Sequence, residues 1–504
     1  FVSQPAAAAA VERKPDLELN VSAQPVPHQI TMATLIGGSG MEQARGVCVD
    51  QAGSIYICGL TTSPDFPGMA MDKPPAPVGR QDAFILKLDA SGGKALAAIR
   101  FGGTGQSSAR SVAVDARGCI YVAGEKDSID FRADLRLPAD AGQPAATHVF
   151  VAKFSPEGKM LRAVSVGGEK PSHVARLLLD STGQVCVAGV VRGQQAWPEG
   201  RNGWHEPMAD ADNGFVLVFD NDLRELTYAA TLSSAGDWAP DVAVSDLAEG
   251  PDGTLVVAGW GMPQMSTTVG VLNPATDRTT GFAARFNPRA KGGASLDWLS
   301  YVPMRGSRAR AVTVDRAGAV TLGGEVFLPD ADEFPVKQPA AQPVRQRANS
   351  GYVLKTGADG KRQLSGSLIG GMGRDQVERI LPGRDGAVYY LGQALSHDLP
   401  TLVPAQQFHA GQSRNGMPGG DLFIMRTDAA GAVQFSTFFG GKGSELFGDA
   451  VLTPAGELVA VGTAYPGEFA ATESAPIKRF TGFSKAFLVK LKPETPATRP
   501  ATDK

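Results

Sequence analysis

Short apolar stretches alternate with glycine-containing turns along most of the chain. The stretch Ser111–Gly124 (SVAVDARGCIYVAG) predicts a strand, a tight Asp-x-x-Gly turn and a second strand that ends in glycine. Further copies of this hairpin stand at Gly46–Gly59, Arg176–Gly189, Asp246–Gly259, Ala311–Gly324, Arg379–Gly392 and Asp449–Gly462. The chain is therefore built from a repeated unit, and such a unit cannot bury its apolar faces alone.

Two more apolar strands follow most of these hairpins. After the first hairpin they are Ala83–Asp89 (AFILKLD) and Ala95–Gly103 (ALAAIRFGG). Four short strands per repeat, at a spacing of about 65–70 residues, are typical of a β-propeller, in which each sheet is one blade that packs against its neighbours on both faces. The sequence therefore predicts an all-β fold, a seven-bladed β-propeller of four-stranded antiparallel blades.

The two ends of the chain indicate how the ring closes. The seventh repeat has a third strand at Ala486–Lys492 (AFLVKLK) but no fourth one, whereas Thr31–Gly38 resembles a fourth strand with no hairpin before it. We expect Thr31–Gly38 to complete the last blade, because an open row of sheets leaves unpaired strand edges. The predicted organisation is an extended arm over residues 1–29, a propeller over 30–492 and a Pro/Thr-rich tail over 493–504.

Composition and charge argue against several classes of protein. The net charge of −3 is too small to favour nucleic acid as a partner, and no apolar run approaches the roughly 20 residues of a membrane helix. The four cysteines form no CxxC motif, and the six histidines form no HxH or HExxH motif. Asp210–Gly214 and the segment Asp330–Glu333 resemble calcium loops but lack the spacing of one. We predict no metal site, no cofactor and no catalytic residue.

Several motifs are similar to those of a known family. The series AFILKLDASGG, RFGGTG and SVAVDARGCIYVAGE, together with TTSPDFP at Thr61–Pro67, resembles the bacterial β-propeller repeat called SBBP. Shorter forms of the last motif stand at Ser128–Phe131, Asp332–Pro335 and Ser396–Pro400. The resemblance covers nearly all of Thr31–Lys492, and it implies an exported protein, periplasmic, secreted or on the cell surface, with no shared catalytic motif. One departure is visible in the fourth repeat, where Leu232–Gly236 lacks the Gly-Gly pair.

Most of the variable sequence is expected on one face of the ring. The connections between the second and third strands run to about 20–30 residues, whereas those between the first and second and between the third and fourth strands are tight. In a four-stranded meander the long connections emerge on the same face as those that lead to the next blade. Long loops on a rigid scaffold either bind ligands or only cap the blades, and both interpretations remain open.

A first group of candidate binding residues consists of arginines that share one repeat position at the start of the first strand: Arg45, Arg110 and Arg310. Arg176 and Arg379 sit one residue later. The first strand is expected to line the central channel, where converging guanidinium groups suit a carboxylate or phosphate ligand. The alternative is that each arginine holds its own loop or pairs with Glu42, Asp375 or Glu378.

A second group of candidates stands in the long loop of the third repeat: Trp197, Trp204 and His205. An exposed indole beside polar side chains stacks on sugar rings or anchors a protein partner. The alternative is that these side chains pin a long loop to the body of the protein.

Together these features predict a non-catalytic, exported β-propeller that serves as a protein-interaction scaffold or accessory subunit of a bacterial surface or membrane-associated assembly. The alternative function is a glycan-active lyase or hydrolase, or a carbohydrate-binding propeller, that uses the loop-rich face. A hydrolase needs an acid and a base within reach of its substrate, and candidates such as Asp237, Asp241 and His173 are scattered along the sequence. We expect protein partners, a polysaccharide as the alternative partner, and no nucleic acid.

Overall fold

The computed structural model describes residues 19–69, 78–128, 130–137, 147–167, 170–193, 203–205, 210–234, 241–327, 334–342, 350–411 and 419–494. Within these ranges the regular elements are β-strands, apart from one short 3₁₀ turn at Gly292–Ser295. The N-terminal strand of the described chain is β1 (His28–Ile36).

The strands of the first four blades, from the innermost outward, are as follows. Blade 1 contains β2 (Glu42–Val49), β3 (Ile55–Thr61), β4 (Asp82–Leu88) and β5 (Ala95–Phe101); blade 2 contains β6 (Ser107–Val114), β7 (Ile120–Lys126), β9 (His148–Phe154), β10 (Met160–Val166) and the short edge strand β8 (Leu135–Leu137). Blade 3 contains β11 (Ser172–Leu179), β12 (Val185–Arg192), β13 (Asp212–Phe219) and β14 (Leu226–Leu232); blade 4 contains β15 (Val242–Glu249), β16 (Leu255–Gly261), β17 (Thr280–Phe286) and β18 (Leu296–Tyr301).

The remaining three blades follow the same order. Blade 5 contains β19 (Ser307–Val314), β20 (Val320–Val326), β21 (Ser350–Thr356) and β22 (Gln363–Ile369); blade 6 contains β23 (Asp375–Pro382), β24 (Val388–Ala394), β25 (Asp421–Thr427) and β26 (Val433–Phe439); blade 7 contains β27 (Glu445–Leu452), β28 (Leu458–Ala464), β29 (Lys485–Pro493) and β1. The first strand of each blade contacts the first strand of the next, and β27 contacts β2, so the ring is closed. The predicted seven-bladed, all-β propeller is confirmed.

The N-terminal strand closes the last blade, as the sequence predicted. Strand β1 runs antiparallel to β29, with Ala33 opposite Val489 and Leu35 opposite Phe487. The strand begins at His28, before the expected boundary. The residues that precede it pack on the ring as well, since the backbone N–H of Ser22 donates to the carbonyl of Val433 in blade 6 at 2.8 Å.

Apolar side chains fill the spaces between neighbouring blades. Between blades 1 and 2, for example, Phe101 packs edge-on against Phe154 with ring centroids 4.9 Å apart, and both are buried. The third strands are buried almost throughout because both faces of each sheet lie against another sheet. This burial explains why a single four-stranded unit is not stable alone.

The Asp-x-x-Gly motif forms the tight turn between the first two strands. Gly53 and Gly118 lie at φ +84° and +81°, in the left-handed region that favours glycine. The Asp50 carboxylate accepts the backbone N–H of Ser54 at 2.8 Å, which closes the turn from its side chain. The geometry of the turn therefore requires both the glycine and the aspartate of the repeated motif.

The TTSPDFP motif has a structural role at the junction between blades. The Ser63 hydroxyl accepts the backbone N–H of Gly40 at 2.6 Å, the Asp65 carboxylate accepts that of Ser39 at 2.7 Å, and Phe66 is buried. The motif thus fixes the connection that leads from the outermost strand of one blade to the innermost strand of the next. Asp332 of the shorter copy in the fifth repeat lies outside the described residues.

Candidate functional site

A β-bulge interrupts the first strand of every blade at the same register. One residue of each strand is left without a partner on the second strand, and a bulge of this kind re-aims its side chain. The residues at this position are, from blade 1 to blade 7, Arg45, Arg110, Ala175, Ser245, Arg310, Glu378 and Gly448. The repeat position that the sequence singled out is therefore a ring of bulges around the channel.

A cavity of about 680 Å³ opens at the loop-rich end of the channel. Arg45, Arg110 and Arg310 all line it, so the structure brings the three predicted arginines together. Glu378 lines the same cavity, as do apolar side chains that include Val174. We refer to this space as the channel mouth.

Two of the three arginines are held by glutamates of second strands. Arg45 lies 3.7 Å from Glu125, and Arg310 donates from Nε to the carboxylate of Glu325 at 3.0 Å. Burial lowers the pKa of Arg45, and the nearby charge of Glu125 opposes that shift. Arg374 also donates a hydrogen bond to the Glu325 carboxylate, at 2.8 Å. These arginines are therefore positioned by ion pairs.

The partner carboxylates differ from those proposed from the sequence. Glu42 forms a fully buried ion pair with Lys485 at 2.8 Å, and Asp375 accepts the backbone N–H of Gly371 at 2.8 Å. Each is the first residue of an innermost strand, and its interactions hold the connection that leads into that strand. Only Glu378, the third residue proposed, lies at the channel mouth, and it makes no ion pair with a described residue.

Arg110 and Glu378 are charged side chains of the channel mouth that form no ion pair with a described residue. The Arg110 side chain is exposed, and its guanidinium makes no hydrogen bond or ion pair with any residue that the structure describes. Glu378 is half-buried. Its burial raises its pKa to about 7, against the opposing effect of Arg310 and Arg110. The site therefore holds one free guanidinium and one carboxyl group that exchanges its proton near neutral pH.

An ion network forms the floor of the channel mouth, one residue deeper along the first strands. Arg176 of blade 3 binds Asp246 of blade 4 at 2.9 Å and Asp449 of blade 7 at 2.8 Å. Arg379 of blade 6 lies 3.2 Å from Asp449 and 3.6 Å from Asp246. Burial disfavours ionisation of Asp449, but the two arginines outweigh it, so the pKa of Asp449 lies below its ordinary value. The network is balanced in charge and connects blades across the channel.

The aromatic candidates lie elsewhere. The Trp204 indole is half-buried against the core between blades 3 and 4, and its carbonyl accepts the backbone N–H of Thr231 at 2.9 Å. His205 is exposed beside Thr231, at 3.3 Å from its hydroxyl. Both lie alongside the outermost strand of blade 3, away from the channel that the arginines line. Trp197 lies outside the described residues.

The described parts of the long connections cap the outer edges of the blades. Lys337 exchanges backbone hydrogen bonds with Gly366 in blade 5, and Leu402 does so with Ser436 in blade 6. In blade 7 the backbone N–H of Leu35, on the outermost strand, donates to the carbonyl of Ile477 at 3.1 Å. Such pairing satisfies edge strands that would otherwise be open to other chains. These segments therefore support the capping interpretation.

The remaining chemical candidates do not assemble into a site. Asp210 pairs with Lys170, and Asp241 accepts the backbone N–H of Asp212 at 3.3 Å. Across the described ranges, no group of three or more His, Cys, Asp and Glu side chains is placed to hold a metal ion. His173 lines the channel mouth, whereas Asp237 and the segment 330–333 lie outside the described residues. Nor do the described residues include a helix long and apolar enough to cross a membrane.

Sequence comparison assigns no family to this chain, since no family model and no curated protein matches it. Among solved structures, it is similar to the β-propeller domain of the Trilobed protease from Pyrococcus furiosus, with 10% identity and a TM-score of 0.39 over 93% of this chain and 100% of that one. It is also similar to a quinohemoprotein alcohol dehydrogenase from Pseudomonas putida, with 11% identity and a TM-score of 0.39 over 95% and 78% of the two chains. A protein of unknown function from Bacteroides caccae gives 9% identity and a TM-score of 0.31 over 68% and 94%. Identities and scores this low carry no functional inference.

Some residues of the site were not identified from the sequence. Glu125 and Glu325 occupy the same position at the end of the second strand, directly after the glycine that ends the hairpin motif. Asp246 and Asp449 occupy the first position of their hairpin copies, where Arg176 and Arg379 stand in two others. The available signal was the presence of two acids and two bases at one repeat position, because equivalent positions of a propeller meet at the channel.

Proposed function

We propose that this chain is an exported, non-catalytic β-propeller of the SBBP type that binds a protein partner through its loop-rich face. It acts as a scaffold or accessory subunit of a bacterial surface or membrane-associated assembly. The SBBP-like motifs support the family and the export. The proposed mode of action rests on the distribution of exposed apolar side chains.

All three aromatic residues among the exposed large apolar side chains of the described chain lie on the loop-rich side. Phe483 is 83% exposed, Phe408 72% and Tyr465 37%. Phe408 stands in the long connection of blade 6, and Tyr465 and Phe483 stand at the two ends of the long connection of blade 7. Exposed aromatic side chains are enriched at protein interfaces because they bury a large area at a small entropic cost. This distribution supports a protein partner on blades 6 and 7.

Site-specific photo-crosslinking tests this function. We replace Phe483 or Tyr465 by a photoreactive phenylalanine analogue in the full chain, expressed in its native host. A crosslink to a discrete protein is expected from both positions. Leu96 is the matched control, because it is 46% exposed and stands on the opposite side, beside the turn between the third and fourth strands.

The outcome is decisive in either direction. Crosslinks from Phe483 and Tyr465 but not from Leu96 support a partner on the loop-rich face. A protein that stays monomeric in the native extract and gives no crosslink from either position contradicts the proposal.

A further inference from the structure

Two oppositely charged side chains at the channel mouth have no partner among the described residues. Arg110 on β6 is exposed and Glu378 on β23 is half-buried, and neither makes a hydrogen bond or an ion pair there. The other two arginines of the ring are held by glutamates, and the network below is balanced in charge. One guanidinium and one carboxylate are therefore available to a ligand in the same cavity.

We propose that the channel mouth is a binding site for a small zwitterion, a molecule that carries a carboxylate and a protonated amine as an amino acid does. The ligand carboxylate lies against Arg110, whose planar guanidinium presents a fork of N–H donors suited to it. The ligand amine donates to Glu378. The cavity of about 680 Å³ is within the range of small-molecule sites. This inference goes beyond the proposed function and does not depend on it.

The charge pattern favours a zwitterion over a simple anion. The charged groups that act on Glu378 are Arg310 and Arg110, which favour its ionised form, and Glu325, which disfavours it. Arg45, Glu125, His173 and Arg176 line the same cavity. An anion without an amine places a second negative charge beside the Glu378 carboxylate, and like charges in a partly buried site repel. An amine turns the same carboxylate into an attractive partner.

The walls of the cavity suit the rest of such a ligand. Val174, Val190, Val244 and Leu446 line the channel mouth together with the charged groups. A pocket that combines apolar walls with a few placed polar groups is typical of sites for small molecules. The carbon skeleton of the zwitterion therefore packs against these side chains while its two charged ends are fixed.

Proton exchange gives the site a measurable signature. Burial raises the pKa of Glu378 to about 7, so the group is partly protonated in the free protein at neutral pH. A protonated amine beside it lowers that pKa, because an opposite charge favours the ionised form. Binding at pH 7 is therefore expected to release protons, which calorimetry detects as a binding enthalpy that depends on the buffer.

The experiment begins with the full chain and the twenty common amino acids as probes, each titrated by calorimetry. The tightest binder is then compared with its two truncations, the same molecule without its amine and the same molecule without its carboxylate. Each truncation is expected to bind at least about tenfold weaker, since each leaves one charged group of the site without its partner.

Two variants assign the two ends of the ligand. Arg110→Gln is expected to weaken binding of the amino acid and of its form without the amine. Glu378→Gln is expected to weaken binding of the amino acid, to spare the form without the amine and to abolish proton release. Arg316→Gln is the matched control, because Arg316 is an exposed arginine in the turn between the first and second strands, on the opposite face.

Three results would overturn the inference: none of the twenty probes binds, the form without the amine binds as tightly as the amino acid, or Glu378→Gln leaves that preference unchanged. Circular dichroism and the unfolding midpoint of each variant show that it is folded. Photo-crosslinking at Phe483 is repeated in Glu378→Gln, so that failure of this site and failure of the protein-binding function are distinguished.

Discussion

At the scale of single residues, His28 shows how one side chain ties the N-terminal strand to the ring. Its Nδ1 lies 2.8 Å from the carbonyl oxygen of Val26, and its Nε2 lies 2.8 Å from the Tyr389 hydroxyl of blade 6. The imidazole also stacks on Phe435, with ring centroids 4.2 Å apart. Burial lowers the pKa of His28 to about 4, the Val26 carbonyl opposes this shift, and the charge of Arg426 adds to it. The folded protein therefore holds His28 neutral.

This shift predicts a loss of stability in mild acid. Between pH 6.5 and 4 the unfolded chain binds a proton at His28 that the folded chain does not, so the contribution of His28 to the free energy of unfolding falls as the pH falls through this window. The full shift corresponds to about 3 kcal/mol, and most of this loss occurs below pH 6.5. Urea denaturation at pH 7.5, 5.5 and 4.5 measures it.

The variant His28→Gln isolates the effect, because glutamine keeps a hydrogen-bonding side chain but does not titrate. We expect the variant to lose less stability than the wild type between pH 7.5 and 4.5. Parallel pH profiles for the two proteins would contradict the assignment to His28.

At the scale of elements, the bulge in each first strand organises the channel. The residue directly after the bulge carries a polar side chain in several blades, and that side chain reaches the next blade. Ser111 accepts the backbone N–H of Leu177 at 3.0 Å, and Asp246 accepts that of Val312 at 2.9 Å. Asp449 does the same for Val47 at 3.3 Å while it binds Arg176 and Arg379. Neighbouring blades are thus joined by side chains as well as by apolar packing.

Removal of one acid from this network is expected to be costly. In Asp449→Ala, Arg176 and Arg379 have only Asp246 as a carboxylate partner, and the backbone N–H of Val47 loses its acceptor. We therefore expect a loss of about 3–5 kcal/mol in the free energy of unfolding. Glu468→Ala is the control, since the Lys442–Glu468 ion pair is exposed and its loss has little effect. Chemical denaturation compares the two, and equal stability of both variants would contradict the role given to the network.

At the scale of the whole molecule, the chain ends meet in one blade and hold the ring shut. Strand β1 supplies the outermost strand of blade 7, and Ala33, Leu35 and Ile36 are fully buried there. Without this strand, the backbone groups of β29 lose their partners, and apolar surface is exposed between blades 6 and 7, where Leu35 packs, and between blades 7 and 1, where Ile36 packs. The closure therefore couples the first described strand to the last one over the length of the chain.

A chain that starts at Gly37 tests this closure. We expect a lower unfolding midpoint temperature and a tendency to aggregate through the open edge of β29. A synthetic peptide of residues 28–36, added in trans, is expected to restore the midpoint by pairing with β29 in place of the missing strand β1. A peptide of residues 95–101, the outermost strand of blade 1, is the control. A midpoint equal to that of the full chain would contradict the closure.

The sequence by itself determined the repeat, the number of blades and the way the ring closes. These follow from local rules: strand patterning, a turn that needs glycine at positive φ, and an unpaired strand at each end. It also located the three arginines, because equivalent positions of a propeller lie around one axis. Only the tertiary structure decided that Arg45 and Arg310 are held by Glu125 and Glu325 while Arg110 and Glu378 stay free. Which charges are paired depends on side chains of different blades, far apart in the chain, and on their burial, and no spacing along the sequence encodes these.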